Sequence, residues 1–221
     1  MRVLCIADIH GDMGNIPGAA KFAKRNDIEC VFIAGDFSRG IGDMNENRRD
    51  VEYVLKTFKD FRVFCIPGNC DSREIPGVFD EYGVNFHEKV MIIEGITFIC
   101  LGGSNPTPFK TPFELSEDEI YGKLKSTADE VDTAEFIVMS HFPPKDTACD
   151  EIQGGFHVGS EALRRFIEEY SPKLAVSSHI HENGGREDKV GDTKIANIGR
   201  VSERNCGVIE LPGADIELFK F

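Results

Sequence analysis

The sequence predicts an α/β fold in which two β-sheets pack face to face with helices outside. Three observations carry this. The first third alternates apolar runs with amphipathic helical stretches, the pattern of parallel βαβ units. Beyond residue 181 the chain alternates strand-like runs with turn signals and shows no helical period. Five apolar runs also end on side chains able to bind a metal, which marks one edge of a sheet.

Each element has a local reason. Residues 3–7 read as a buried strand, followed by a helix over 16–25. Residues 30–34 form a second strand, followed by a helix over 46–58 with Val51, Val54, Leu55 and Phe58 at helical spacing. Residues 63–66 form a third strand and lead into a short helix around 76–82. Residues 90–93 and 96–101 flank Glu94-Gly95, a hairpin turn. A loop rich in Gly, Pro and Asn spans 102–112. Ser116 and Glu119 form a capping box that opens a helix to about residue 129.

Residues 136–139 are the next strand, and a second long loop covers 141–159. Residues 160–170 read as an amphipathic helix with Leu163, Phe166 and Ile167 on one side. Pro172 ends it before a strand at 174–176. Gly191-Asp192 marks a hairpin, and residues 207–211 and 216–219 close the chain around Pro212-Gly213. No repeat, low-complexity tract or linker divides the sequence, so 1–221 reads as a single domain, long enough to bury a core.

Composition narrows the partners. The net charge is −13 with no basic stripe, which argues against nucleic acid as a partner. Arg48-Arg49 and Arg164-Arg165 are isolated pairs on solvated helix faces. No apolar run approaches the length of a membrane span. The seven cysteines include no CxxC pair, and Cys5, Cys30, Cys65 and Cys100 lie inside apolar runs as small core residues. With no leader segment after Met1, the expected compartment is reducing and cytoplasmic. Nothing in the sequence specifies an oligomer.

The candidate site lies in five segments: Asp8-Ile9-His10, Gly35-Asp36, Gly68-Asn69, Ser140-His141 and His179-Ile180-His181. Together they supply two Asp, one Asn and four His, an inventory that suits a pair of divalent metals. In extended chain, residues i and i+2 share a face, so Asp8 can align with His10 and His179 with His181. Carboxyl ends of strands are also where sites form in α/β sheets.

In this order, with Asp71 after Cys70, these segments resemble the motifs of the calcineurin-like metallophosphoesterase superfamily, DxH, GDxx, GNHD/E, an isolated His and GHxH. The likeness runs from residue 8 to about 200 and is closest to the small archaeal and bacterial phosphoesterases. It implies a four-layer αββα sandwich of two mixed sheets flanked by helices. It also implies that Asp8, His10 and His181 hold one metal, that Asn69, His141 and His179 hold the other, and that Asp36 bridges them. The implied activity is hydrolysis of phosphate esters by a metal-bound hydroxide. Two divalent ions against two carboxylates leave about +2 for a small phosphorylated substrate. The mixed imidazole and carboxylate shell suits Mn, Fe, Ni, Co or Zn more than Ca or Mg.

Two positions depart from the family pattern. Cys70 stands where the family has a His that contacts phosphate and protonates the leaving group, and a thiol is a weaker donor. This moves the expected substrate toward phosphodiesters. Ser178 replaces the glycine of GHxH, a change expected to alter only how the strand end turns. Asn69, Cys70 and His157 are the candidate catalytic residues. His157 either approaches the metals from the long loop or caps the helix at Ser160. Asn105 either lines the cleft or makes a turn; Asp71 either holds its turn or contacts substrate. Asp12 and Asp43 either support the ligands or lie in solvated loop, and His87 is expected at the surface. The alternatives to a phosphoesterase are a catalytically silent scaffold on the same fold and a nuclease. An unbroken ligand set argues against the first, and the absence of a basic cap argues against the second.

Overall fold

The structure is a computed structural model that describes residues 1–38, 43–131, 133 and 135–221. In chain order its elements are β1 (Arg2–Ile6), α1 (Ile16–Arg25), β2 (Cys30–Ala34), α2 (Met44–Thr57), β3 (Arg62–Ile66) and α3 (Ile75–Glu81). Then come β4 (Lys89–Ile93), β5 (Ile96–Leu101), α4 (Glu117–Asp129), β6 (Phe136–Ser140), β7 (Glu151–Ile152), β8 (Phe156–His157) and α5 (Glu161–Tyr170). The chain ends with β9 (Leu174–Ser177), β10 (Arg186–Val190), β11 (Thr193–Asn197), β12 (Asn205–Glu210) and β13 (Asp215–Lys220).

Two large sheets form, with strand orders β13-β12-β1-β2-β3 and β10-β11-β9-β6-β5-β4, and β7 and β8 pair as a separate hairpin. Both large sheets are mixed. β1, β2 and β3 run parallel, as the βαβ pattern requires, while β12 and β13 add antiparallel. In the second sheet β5, β6, β9 and β11 run parallel between the antiparallel edges β4 and β10.

Side-chain alternation assigns the layers. Val3 and Cys5 of β1, Phe32 of β2, Phe98 and Cys100 of β5, and Ile137 and Met139 of β6 fill the space between the sheets. Leu4, Ile6, Val31 and Ile33 point the other way, onto α1, α2 and α3. Ile99, Leu101 and Val138 meet Ile120 and Leu124 of α4 and Leu163, Phe166 and Ile167 of α5. The result is the four-layer sandwich. Burial on both faces is why these strands read as continuous apolar runs.

Local signals set the boundaries. Ser116 and Glu119 form the reciprocal capping box of α4. Asp43 caps α2 by accepting from the Asn45 and Glu46 amides, so it serves the helix, not the ligands. Asp12 accepts from Asn15 and closes its own turn. His87 overturns the expectation of a surface residue. It is 9% exposed; its Nδ1 accepts the Gly102 amide at 3.0 Å, and its Nε2 lies 2.9 Å from Glu88. A buried imidazole needs both nitrogens satisfied, and this one pins the end of β5 to the start of β4. The cysteines other than the half-buried Cys70 are buried and free. No helix among the described residues is long and apolar enough to cross a membrane.

Candidate metal centre

The carboxyl ends of β1, β2 and β3 in one sheet, and of β6 and β9 in the other, converge on one point. The sheets are joined there by the His179 amide on Asp8 Oδ2 and by His141 Nδ1 on the Ala34 carbonyl, and within each sheet the loops after the strands are tied to each other. The Ser178 amide donates to His141 O, the Asp8 amide to Gly35 O and the His10 amide to Asp36 O. The ligand pairs do not sit in extended strand as the spacing suggests. Asp8, His10, Asp36 and His179 all have positive φ, between 46° and 65°, and His181 opens a 3-10 turn. Such backbone costs about 1–3 kcal/mol per residue and persists where the surroundings hold it. Here it turns each side chain off its strand end and toward the common centre.

Three groups of ligand atoms cluster within 4.8 Å: Asp8 with His10 and His181, Asp36 with His141 and His179, and His10 with Asp36 and Cys70. The first holds the three residues expected around one metal, and the second brings two residues expected around the other, His141 and His179, together with Asp36. Asp36 Oδ2 lies 3.5 Å from both His10 Nε2 and His141 Nε2, which places it between them. Asn69 Oδ1 is 3.1 Å from His141 Nε2. Its Nδ2 is held by Thr111 Oγ1 at 2.9 Å, so the oxygen faces the site.

An orphaned atom tests whether these residues fit a metal. Asp8 Oδ1 is buried and accepts no hydrogen bond. It faces His181 Nε2 at 3.4 Å, His10 Nε2 at 3.7 Å and His141 Nε2 at 3.9 Å. Ligands held about 2.0–2.2 Å from one ion stand roughly 3.0–3.6 Å from each other. The observed separations are near this and too long for hydrogen bonds, so the residues fit a cation. The other Asp8 oxygen accepts from the His179 amide and from Ser178 Oγ. Ser178 therefore does more than reshape its turn: its hydroxyl fixes the Asp8 carboxylate.

The supporting contacts decide which atoms face inward. His141 Nδ1 donates to Ala34 O at 2.6 Å, which commits Nε2 to the site. Asp71 is fully buried and accepts from the amides of Asp36, Phe37 and Gly68 at 2.8–2.9 Å, so it holds the turn and does not contact substrate. Gly68 is obligatory, because a Cβ there would collide with Asp36 Oδ1 and its amide.

Charge in the metal-free cluster is shared tightly. Burial pushes Asp8 up, but His181, His141 and His10 outweigh it and hold the carboxyl below the usual range. Burial pushes His141 down, but Asp36 and Asp8 raise it to about 9. His179, buried and beside His141, falls to about 4. For Cys70, burial and the neighbouring Asp36 push the thiol well up, so it stays neutral.

A cavity of about 920 Å³ opens over the ligands. His10, Asp36, Asn69, Cys70, His179 and His181 form its floor, and Pro106, Pro108, Phe109, Ile152 and Val158 supply apolar wall. Asn105 also lines it and donates to Val158 O at 3.1 Å. His157 lines it from the β7–β8 hairpin, where Nδ1 lies 2.7 Å from Asp150 Oδ1; Ser160 itself caps α5. Thr111, Asp150 and the Ala34 carbonyl were not legible as functional in the sequence. Each acts through a contact distant along the chain, and only the Asp150-to-His157 spacing offered a hint.

The fold and this two-centre cluster define a metal-dependent phosphoester hydrolase. The chain belongs to the calcineurin-like phosphoesterase family, whose model matches residues 1–183. It is 34% identical over 205 residues to the uncharacterized protein MJ1162 of Methanocaldococcus jannaschii, covering 89% of this chain and 87% of that one. A dimetal phosphatase from Danio rerio superposes with a TM-score of 0.64 at 14% identity, over 96% of this chain and 92% of that one. A novel archaeal phosphodiesterase superposes with a TM-score of 0.56 at 14% identity, over the whole of both chains.

Proposed function

We propose that this phosphoesterase uses two divalent transition-metal ions and cleaves phosphodiesters that carry an apolar or aromatic group. The observation that carries the reading is the cavity over the ligands. Its walls are apolar, and Lys145, the one Lys or Arg among the described lining residues, is held by Glu161 at 2.5 Å. Glu117 and Glu182 add negative charge at the rim. Such a cleft welcomes a singly charged diester more than a dianionic monoester or a polyphosphate. Its volume is at the upper end of the roughly 300–1,000 Å³ usual for ligand pockets, which gives both organic arms room.

When bound, two such ions would act as Lewis acids on the phosphoryl oxygens and acidify a water molecule. The chain's own residues do the rest. Asp8, His10 and His181 would hold one ion, and Asn69, His141 and His179 the other. Asp36, whose Oδ1 accepts from the Cys70 amide at 2.8 Å, would serve both. The apolar walls orient the ester and exclude bulk water from the floor. The Cys70 thiol, kept neutral, is a weak hydrogen-bond donor beside the ligands.

The test is kcat/KM for matched aryl diesters, aryl monoesters and nucleotides with Mn, Ni, Zn and Mg. The expected result is faster diester cleavage with a transition metal. A preference for monoesters with every metal would overturn the diester reading, and no hydrolysis at all would favour the silent scaffold.

A further inference from the structure

We propose that His157, oriented by Asp150, is the proton donor to the departing oxygen of the ester. This rests on the phosphoesterase reading and assigns a step that the metal ligands do not perform.

The geometry begins at Asp150, which is wholly buried. Its Oδ2 accepts from the amides of Gly159 at 2.9 Å and Asp146 at 3.2 Å. Its Oδ1 accepts from the Thr147 amide at 2.8 Å and lies 2.7 Å from His157 Nδ1. A carboxylate held by three amides cannot swing, and a carboxylate acceptor commits Nδ1 to carrying hydrogen. The exchangeable proton is therefore on Nε2.

The ring itself is fixed. His157 pairs with Glu151 across the β7–β8 hairpin, and the next residue is tied through its carbonyl to Asn105 and through its amide to Asp150 O. The side chain is 32% exposed and lines the cavity whose floor is the ligand cluster.

Other donors on the wall are engaged or weak. The Thr107 and Thr111 hydroxyls donate to Glu114 Oε1 at 2.6 and 2.7 Å. Lys145 is paired with Glu161. Asn105 Nδ2 is spent on Val158, and Cys70 is a neutral thiol. The hydrogen bond to Asp150, with Asp146 and Glu151 nearby, raises the His157 pKa from its ordinary value, which favours the imidazolium. Glu117, Glu161 and Glu182 around the cavity act in the same sense, whereas Lys145 and any bound metal oppose it.

The step balances. The phosphorus–oxygen bond to the leaving group breaks, and its electron pair goes to that oxygen. The oxygen takes the Nε2 proton and departs as an alcohol, leaving neutral His157 with Nδ1–H still on Asp150. Water supplies the new oxygen on phosphorus and, through solvent, the proton that restores the imidazolium.

The experiment uses metal-loaded enzyme and a diester series from nitrophenyl to alkyl leaving groups, across pH 5–10. His157→Gln should lose about 10²–10³-fold in kcat/KM on the alkyl members and only a few-fold on nitrophenyl, as removal of a general acid requires. Wild-type activity on the alkyl esters should fall at high pH, and that limb should disappear in His157→Gln. Asp150→Asn, if folded, should move the limb to lower pH, because it removes the charge that favours the imidazolium. An independent readout is nitrogen NMR of zinc-loaded wild type at high pH, where neutral His157 should carry its proton on Nδ1. Equal losses across the series, an unchanged high-pH limb or an Nε2–H tautomer would overturn the assignment while leaving the phosphoesterase reading intact. Absence of any hydrolysis by wild type would overturn both.

Discussion

Loading the metal-free protein with a divalent transition metal at pH 7 should expel at least one proton per chain, and His141 should supply one. In the metal-free fold, burial disfavours its imidazolium, but Asp36, Asp8 and the Ala34 carbonyl outweigh burial and raise the pKa to about 9. Two pH units below that value the ring is roughly 99% protonated. The Nδ1 proton stays on Ala34, so the one that must leave is on Nε2, between Asn69 and Asp36. Metal binds the deprotonated ring. Displacing the proton at pH 7 costs on the order of 3 kcal/mol, or about 100-fold in affinity. The sign follows: through the His141 proton alone, affinity rises about tenfold per pH unit and levels off near pH 9. His179, already neutral because its pKa lies near 4, contributes nothing above pH 6. Titration calorimetry with zinc in buffers of different ionisation enthalpy, from pH 6 to 9.5, reads the proton count directly. Nitrogen NMR of the metal-free protein reads the ring itself. A neutral His141 at pH 7, or affinity independent of pH, would refute the reasoning.

Three further outcomes follow from the same geometry. Asp36→Ala should cost both metals in elemental analysis of metal-loaded protein, whereas Asn69→Ala should mainly weaken one; two tightly bound metals in Asp36→Ala would remove it from the bridge. Cys70→Ala should lower kcat/KM on an aryl diester by less than about tenfold, since the neutral thiol lies outside the roughly 10²–10⁴-fold range of general-acid help; a larger loss would make the thiol a participant. Asp71→Ala should destabilise the fold by about 3 kcal/mol or more in urea unfolding, because three buried amides lose their acceptor at about 1–3 kcal/mol each; a change under 1 kcal/mol would mean that water replaces the carboxylate.

The sequence by itself determined the layers and which side chains gather at the candidate site. Buried parallel strands must be apolar on both faces, so β2, β6 and β9 are continuous runs, and a run that stops at His or Asp marks where the backbone leaves the sheet. The α4 boundary was equally plain, because a capping box is written in residues three apart. The tertiary structure decided what those side chains face. Positive φ at Asp8, His10, Asp36 and His179 is imposed by cross-loop hydrogen bonds and leaves no trace in residue spacing. His87 looked like a surface residue until the Gly102 amide, 15 residues onward, required its nitrogen. The ordering of Asp150 beneath His157, Ser178 beneath Asp8 and Thr111 beneath Asn69 likewise came only from folding. Those contacts join residues from 7 to 170 positions apart, and a polar side chain's partner is settled by which buried groups would otherwise go unsatisfied.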